Sequence, residues 1–399
     1  RINVEFVSAN PTGPIHIAHI RGAVYGDVLA NILEKNGYKV IREYYVNDSG
    51  SQITTLGNSL YKRYEQLHGK QIKLVEGEYP GKYLINIAKN ISYKDKEKWL
   101  SEKKDKRNIY FRNYAVKEIL NSIKNDLKDI DINFDKFSFE TVIVKGNKIL
   151  EVINILNKKN LLYEGALKKP KGDNLGDWKP RNQMLFRSSK FNDDSDRPLK
   201  KSSGEWTYFA NDIAYHYDKI TRNFHQLINV WGADHIGYIK RMQSMVDILS
   251  NKKFFLDIRI CQIIRLLKNG KIVKMSKRDG NFVTLKEVFN QVGKDPLRYY
   301  MISTKNETSI DFDINKVIEK NNDNQVFYCQ YAFARASSVI NKAVKINEFK
   351  EFKKQFINFD KYSISKYERE IILKIISWPY ILIQSVILKQ PHKITNYIE

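Results

Sequence analysis

Histidines and lysines at two places in the chain have the types and spacing for phosphate chemistry. The first place is Ser8-Ala-Asn-Pro-Thr-Gly-Pro14 followed by His16-Ile-Ala-His19. Two imidazoles three residues apart share one face of a helix's first turn. A helix N-terminus already attracts anions through its free N–H groups and its dipole. Gly13, with Pro11 and Pro14 beside it, lets the backbone approach a phosphate closely, so the pair suits a triphosphate. Spacing alone would fit two ordinary surface histidines as well. The second place is Lys274-Met-Ser-Lys277, with Arg278-Asp-Gly280 behind it. Two ammonium groups on one loop can close over a pyrophosphate leaving group. In so basic a chain, a solvated basic turn fits that stretch equally.

The elements that must hold these residues follow from pattern. Residues 1–7 alternate as a strand, 8–14 form a Pro/Gly loop, and 15–36 carry a helical apolar stripe that includes Ile17, Ile20, Val24 and Leu33. Gly37 then caps the helix, and residues 38–46 read as a second strand. Strand, loop, helix and strand make one unit of a parallel α/β fold, which places a nucleotide in the loop after the first strand. Residues from about 60 to 140 read as Lys-rich helices, densest over 94–107, and fit solvated faces better than an RNA groove. The stretch 165–187 reads as hairpins and loops, 206–219 as helix, 226–231 as a short apolar strand, and 254–267 as further strands before a turn at Asn269-Gly270. From about Val317 onward the pattern is helical to the end.

The net charge of +23 attracts polyanions, although Lys, Asn and Ile abundance of the kind AT-rich genomes produce accounts for part of it. Cys261 and Cys329 stand far apart, which excludes a disulfide framework or a Cys-x-x-Cys zinc site and fits a reducing cytoplasm. No uninterrupted apolar run reaches membrane-spanning length, so no membrane span is expected. The chain opens inside a strand without an initiator Met, and we expect it to be a fragment of a longer protein.

Taken together, the two basic motifs resemble the two ATP-binding motifs of class I aminoacyl-tRNA synthetases. The family's first motif usually has glycine before the second histidine; here Ala18 stands there. Residues 4–14, 44–50, 79–83, 185–188, 206–218, 231–237, 295–299 and 328–335, in this order, resemble the arginyl branch, and the resemblance is strongest up to about residue 340. It implies a Rossmann-like parallel-sheet catalytic domain over 1–316, with a connective insertion at about 60–205, and an incomplete all-α anticodon-binding domain over 317–399. The activity it implies is ATP-dependent activation of L-arginine and its transfer to the 3' end of tRNA(Arg). His16, His19, Lys274 and Lys277 would be catalytic, with Pro11, Gly13, Gly232, Asp234, His235, Met275 and Ser276 completing the ATP site. Glu5, Ser8, Asn10, Tyr208 and Asp212 would hold arginine, Asp212 and Glu5 near the guanidinium. A guanidinium wants planar carboxylates in fork geometry, and Tyr208 and Asp212, four apart, would share a helix face. Tyr331 and Arg335 would meet tRNA, although Tyr331 fits helix-core packing equally. Magnesium is expected on the ATP phosphates, zinc is not, and a cytoplasmic monomer without membrane contact follows by the same resemblance.

Three alternatives compete. A glutamyl or glutaminyl enzyme would want basic pocket residues where Glu5 and Asp212 stand. Cysteinyl and branched-aliphatic enzymes lack, respectively, their zinc cysteines and room for an editing domain here. A small-molecule adenylyltransferase would need neither the basic charge nor a helical end, and a non-catalytic RNA-binding derivative would be free to lose His16, His19, Lys274 and Lys277.

Overall fold

The structure, a computed structural model, describes residues 1–167, 180–191, 193–273, 283–346 and 363–399. The four residues of β1 (Ile2–Glu5) are all buried, as in a strand covered on both faces. The chain continues through α1 (Ile17–Lys35), β2 (Val40–Val46), α2 (Gly50–Leu67), α3 (Lys82–Asp95), α4 (Lys98–Ser101), α5 (Lys104–Asp129) and β3 (Lys136–Phe139). Then come α6 (Glu140–Lys145), α7 (Lys148–Lys158) and an antiparallel trio, β4 (Leu162–Gly165), β5 (Gln183–Phe186) and β6 (Arg197–Lys200). The core resumes with α8 (Tyr208–Thr221), β7 (Gln226–Gly232), α9 (Ile239–Ser250) and β8 (Phe255–Cys261). A small sheet of β9 (Ile264–Lys268), β10 (Lys271–Ile272) and β11 (Ile310–Asp313) encloses α10 (Leu285–Val292) and α11 (Lys294–Ile302) in sequence. The helices α12 (Gln325–Ala343), Lys366–Leu388 and His392–Ile398 follow.

The main sheet is parallel throughout in the order β3-β2-β1-β7-β8. Side chains alternate across it: Tyr44, Ile228 and Val230 join the core shared with α1, α2 and α5, whereas Tyr45, Leu227 and Leu256 join the core shared with α7, α8 and α9. Helix α1 lies very close to β1. A Cβ on Gly26 would stand 2.3 Å from the Phe6 ring, so only glycine permits this approach. Strand order reverses between β2 and β7 around β1, and the crevice beyond the carboxyl ends of β1 and β7 is where such sheets bind ligands.

The stretch expected to be helical to about residue 140 is corrected at two places: residues 68–81 form a loop between α2 and α3, and Lys136–Phe139 is the sheet's edge strand. Four residues after the 26-residue α5 give too short a run for an alternation to register. The all-helical end is as expected, with no strand after Asp313 among the described residues. One expectation needs amending. Helix Lys366–Leu388 is long and apolar enough to cross a membrane by length and composition, although Lys374, Ser377, Pro379 and Gln384 interrupt its apolar run. Its C-terminal end docks on the parallel sheet: Lys389 pairs with Asp257 at 3.1 Å, and Tyr25 donates to the Lys389 carbonyl at 2.7 Å.

Candidate active site

The loop after β1 turns sharply, with Val7 and Ser8 in left-handed backbone conformations at φ 66° and 41°. Its shape is pinned from below. Tyr44, fully buried on β2, donates to the Ala9 carbonyl at 2.7 Å, and Tyr83 at the start of α3 donates to the Thr12 carbonyl at 2.6 Å. The Ser8 hydroxyl accepts from the Tyr45 N–H and donates to Glu5, both at 3.0 Å. Asn10 reaches α2 through a 3.1 Å bond to Gln52.

A cavity of about 560 Å3 opens over this loop at the sheet's switch point. Its wall includes Ser8, Asn10, Gly13, His16 and His19 on one side and Gly232, Asp234 and His235 from the end of β7 on the other. His16 is the N-cap of α1, in extended conformation, rather than part of its first turn, and the two imidazoles lie 3.9 Å apart, centre to centre. Ala18, which stands where the resemblance leads one to expect glycine, also lines the wall. At Gly232 a Cβ would stand 2.5 Å from Asp234 Oδ1, the tip of an exposed side chain that can swing aside. Pro11 is buried behind the wall and does not line the cavity.

Lys274, Met275, Ser276 and Lys277 lie outside the described residues. The residues that follow them are placed. Val283 accepts from the Ile17 N–H at 3.2 Å, Leu285 donates to the Ile15 carbonyl at 2.8 Å, and Thr284 bridges His16. The chain leaving the second basic motif is thereby stitched to the backbone of the first, which sequence spacing alone did not reveal.

Behind the Ser8 end of the cavity lies a set of carboxylates. Glu5 is buried and ion-paired with the fully buried Lys219, which also donates to Asn229 at 3.0 Å. Asn229 in turn meets His216 at 2.9 Å, and His216 meets the Asp212 carbonyl at 2.8 Å. Burial, with Lys219 nearby, lowers His216 to about 3, so it is neutral. Asp212 accepts from Tyr238 at 3.0 Å; burial, with Glu140 and Glu5 close by, raises it to about 7. Tyr208 is 59 % exposed on the same helix, its hydroxyl close over Gly50. Neither Tyr208 nor Asp212 lines the switch-point cavity; they belong to an adjoining region behind it.

Sequence reasoning missed three members of this region. Glu140 is buried and accepts from Tyr45 at 2.7 Å, from Asn211 at 3.2 Å and from Ser49, all neutral donors. Lys219 gives Glu5 a resident cation, and Tyr238 orients Asp212. None of the three stands out by residue type or spacing; Lys219, for instance, lies between Asp218 and Ile220 like an ordinary helix lysine. Far from the cavity, Tyr331 and Arg335 do share a face of α12, with Arg335 donating to the Tyr331 hydroxyl at 3.2 Å and Tyr331 stacked on Phe327.

Residues 1–330 match the family model described as tRNA synthetases class I (R), catalytic domain, and residues 329–399 match the DALR anticodon binding domain. The chain is 46% identical over 398 residues to an arginine–tRNA ligase of Wolbachia pipientis, covering 100% of this chain and 68% of that protein. It is 42% identical over 400 residues to the arginine–tRNA ligase of Ruegeria pomeroyi, with the same coverage. A solved structure titled as a putative arginyl-tRNA synthetase from Campylobacter jejuni superposes with a TM-score of 0.86 at 32% identity, covering 100% of this chain and 82% of that one. The arginyl-tRNA synthetase of Thermus thermophilus shares the fold, with a TM-score of 0.71 at 18% identity, covering 100% of this chain and 72% of that one. The family model over residues 1–330, on a parallel sheet with its switch-point cavity, makes the chain a class I aminoacyl-tRNA synthetase. Within that class, the chain belongs to the arginyl-tRNA synthetase family.

Proposed function

We propose that the switch-point cavity and the carboxylate region behind it bind ATP and L-arginine end to end and join them, and that the product is passed to tRNA. The activity is arginine–tRNA ligation. The arginine carboxylate attacks the ATP α-phosphorus and pyrophosphate leaves; a hydroxyl of the tRNA's terminal ribose then attacks the activated carbonyl and AMP leaves. Charge builds on phosphate oxygens in the first step, so positioned donors suffice and no covalent enzyme intermediate is needed. His16 and His19 face the triphosphate, with Gly13 allowing close backbone approach. Lys274 and Lys277 are assigned to the departing pyrophosphate, and Met275 and Ser276 to contacts with the nucleotide. Gly232, Asp234 and His235 take the adenosine end. Ser8 and Asn10 hold the α-amino and carboxylate end of arginine, and Asp212, with Tyr208, takes the guanidinium.

The observation that carries this reading is continuity. Ser8 lines the cavity and is bonded to Glu5, which sits in the same charged cluster as Asp212. Glu140 belongs to the guanidinium end as well. It is a buried carboxylate whose described partners are all neutral, so a bound cation would balance it. Glu5, neutralised by Lys219, then acts on the guanidinium partly through the field of that pair.

Among the described residues no cluster of three or more His, Cys, Asp or Glu could hold a metal ion. Magnesium therefore fits as an ion brought on the ATP phosphates rather than one caged by this chain, and we assign no zinc. We place the catalytic domain at 1–316 and the helical domain at 317–399, a boundary supported by β11 ending at Asp313 and α12 starting at Gln325. Tyr331 and Arg335 contact tRNA(Arg), and the protein works as a cytoplasmic monomer without membrane contact.

The test is amino-acid-dependent exchange of pyrophosphate into ATP by the full-length protein, over all twenty amino acids, with and without tRNA. Exchange with arginine alone, dependent on tRNA, is expected. Exchange with another amino acid would overturn the roles of Asp212, Tyr208 and Glu140; none at all would return the adenylyltransferase reading.

A further inference from the structure

One exposed stripe on α3 is unlike the rest of the Lys-rich insertion. Lys82, Asn86, Lys89, Asn90 and Tyr93 recur at helical spacing on one face, and all five are exposed, Tyr93 at 93 %. Among the described residues none of the Lys and Asn side chains has a hydrogen bond or ion pair. No carboxylate interrupts the stripe, because Asp95 is turned onto Trp99 and Tyr110 at 2.7 and 2.6 Å. The outer turns differ: there Lys103, Lys104 and Lys106 alternate with Glu102 and Asp105, and Lys106 is paired with Glu102.

Position gives the stripe its meaning. Tyr79, Pro80, Gly81 and Tyr83 line the catalytic cavity, and Lys82 between them is the first residue of α3. The stripe therefore starts at the cavity rim and leads outward for about 16 Å, at a rise of about 1.5 Å per residue. Its inner end is a helix N-terminus, which adds to the positive potential of Lys82. The far end is held rigid by the Trp99–Tyr110 stack at 3.9 Å. Alternating cations and amides with an aromatic at the end are what a single RNA strand needs: phosphate contacts, hydrogen bonds to sugar or base edges, and a stacking platform.

We propose that this stripe is the track along which the unpaired 3' end of tRNA enters the catalytic cavity, with Lys82 and Lys89 on phosphates and Tyr93 under a base. The proposal rests on the ligase reading and adds to it the surface that guides the acceptor end. The experiment measures equilibrium binding of intact tRNA(Arg), and of the same tRNA lacking its unpaired 3' nucleotides, to the full-length protein. Lys82→Ala/Lys89→Ala is expected to weaken intact tRNA roughly tenfold at moderate salt and to reduce the salt slope by about 1.4. Tyr93→Ala is expected to weaken it about fivefold or more, and Tyr93→Phe to restore binding. The shortened tRNA should bind the unaltered protein and these variants equally. Lys103→Ala/Lys104→Ala, which removes the same charge from the outer turn, should leave intact tRNA within about twofold of the unaltered protein. Unchanged binding of intact tRNA by the stripe variants overturns the proposal. So does an equal loss for the shortened tRNA, or an equal loss from the outer-turn variant, since either would mean bulk charge. Arginine charging by the unaltered protein, run alongside, tells failure of the ligase reading from failure of the stripe.

Discussion

Asp212 has a carboxyl that burial holds up to about 7, with Glu140 and Glu5 adding to the effect, so the empty site is half-protonated near neutrality. A guanidinium binds the carboxylate form. Arginine affinity should therefore rise about tenfold per pH unit below 7 and level off above it, which KM for arginine measured from pH 6 to 9 will show. A flat profile would remove Asp212 from the guanidinium. Stability runs the other way. The folded pKa lies above the unfolded value of about 3.9, so the folded state holds the proton more tightly. Its contribution is full below about pH 4, is lost as pH rises through 7, and is constant above. Asp212→Asn should then melt higher than the unaltered protein at pH 8, with the advantage gone near pH 4. Asp212→Ala should weaken arginine binding by about 2–5 kcal/mol and leave ATP binding in place, read by calorimetry with each ligand. His16→Ala or His19→Ala should instead lower kcat for pyrophosphate exchange by about 100-fold, the usual loss when one donor aimed at developing charge is removed.

At the scale of elements, the segment that follows the second basic motif, from Val283 on, is anchored to the loop before α1. Thr284 caps α10 in a reciprocal capping box with Glu287 while its backbone bridges His16. Thr284→Ala should cost about 1 kcal/mol in denaturant unfolding. It should also raise KM for ATP more than KM for arginine; equal rises would mean that the anchor does not serve the nucleotide. Elements of this kind also set what the sequence could disclose. The strand–loop–helix–strand opening is legible because α1 is a 19-residue run with a clear apolar stripe, and the short β1 and the seven-residue β2 are bounded by the Pro/Gly loop and by Gly37, so that the histidine pair is placed at a helix start from Pro14 and the apolar stripe after it. The edge strand at 136–139 was not legible, because four residues carry no period. Glu140, Lys219 and Tyr238 were not legible either, since their roles arise where α6, α8 and the turn after β7 meet behind the sheet, a coincidence of three distant segments. The order of the motifs along the chain discloses the family, and spacing alone discloses neither the guanidinium end nor the bridge from His16 to Thr284.

Across the whole molecule, the C-terminal helices and the parallel sheet meet, among the described residues, at a charged contact. Lys389, in left-handed conformation at φ 52° just after helix Lys366–Leu388, pairs with Asp257 on β8, and both side chains are nearly out of solvent. Arg259, two residues along the strand, shares Asp257 at 2.8 Å. Removing Lys389 leaves Asp257 with that one partner, so Lys389→Ala should destabilise by less than the full loss of a buried pair, about 2 kcal/mol rather than the usual 3–5. Losing Asp257 leaves two cations facing one another, so Asp257→Ala should cost more than Lys389→Ala. The double variant should then be less damaged than the sum of the two, with a coupling above about 1 kcal/mol by thermal unfolding. If the contact also carries the state of the RNA-binding helices to the sheet, Lys389→Ala should weaken the dependence of pyrophosphate exchange on tRNA concentration without changing KM for arginine. Coupling in stability with unchanged tRNA dependence would make it a docking contact alone, because Tyr25 and Thr395 bond to backbone carbonyls on opposite sides of the same seam and would hold the two parts in register without it.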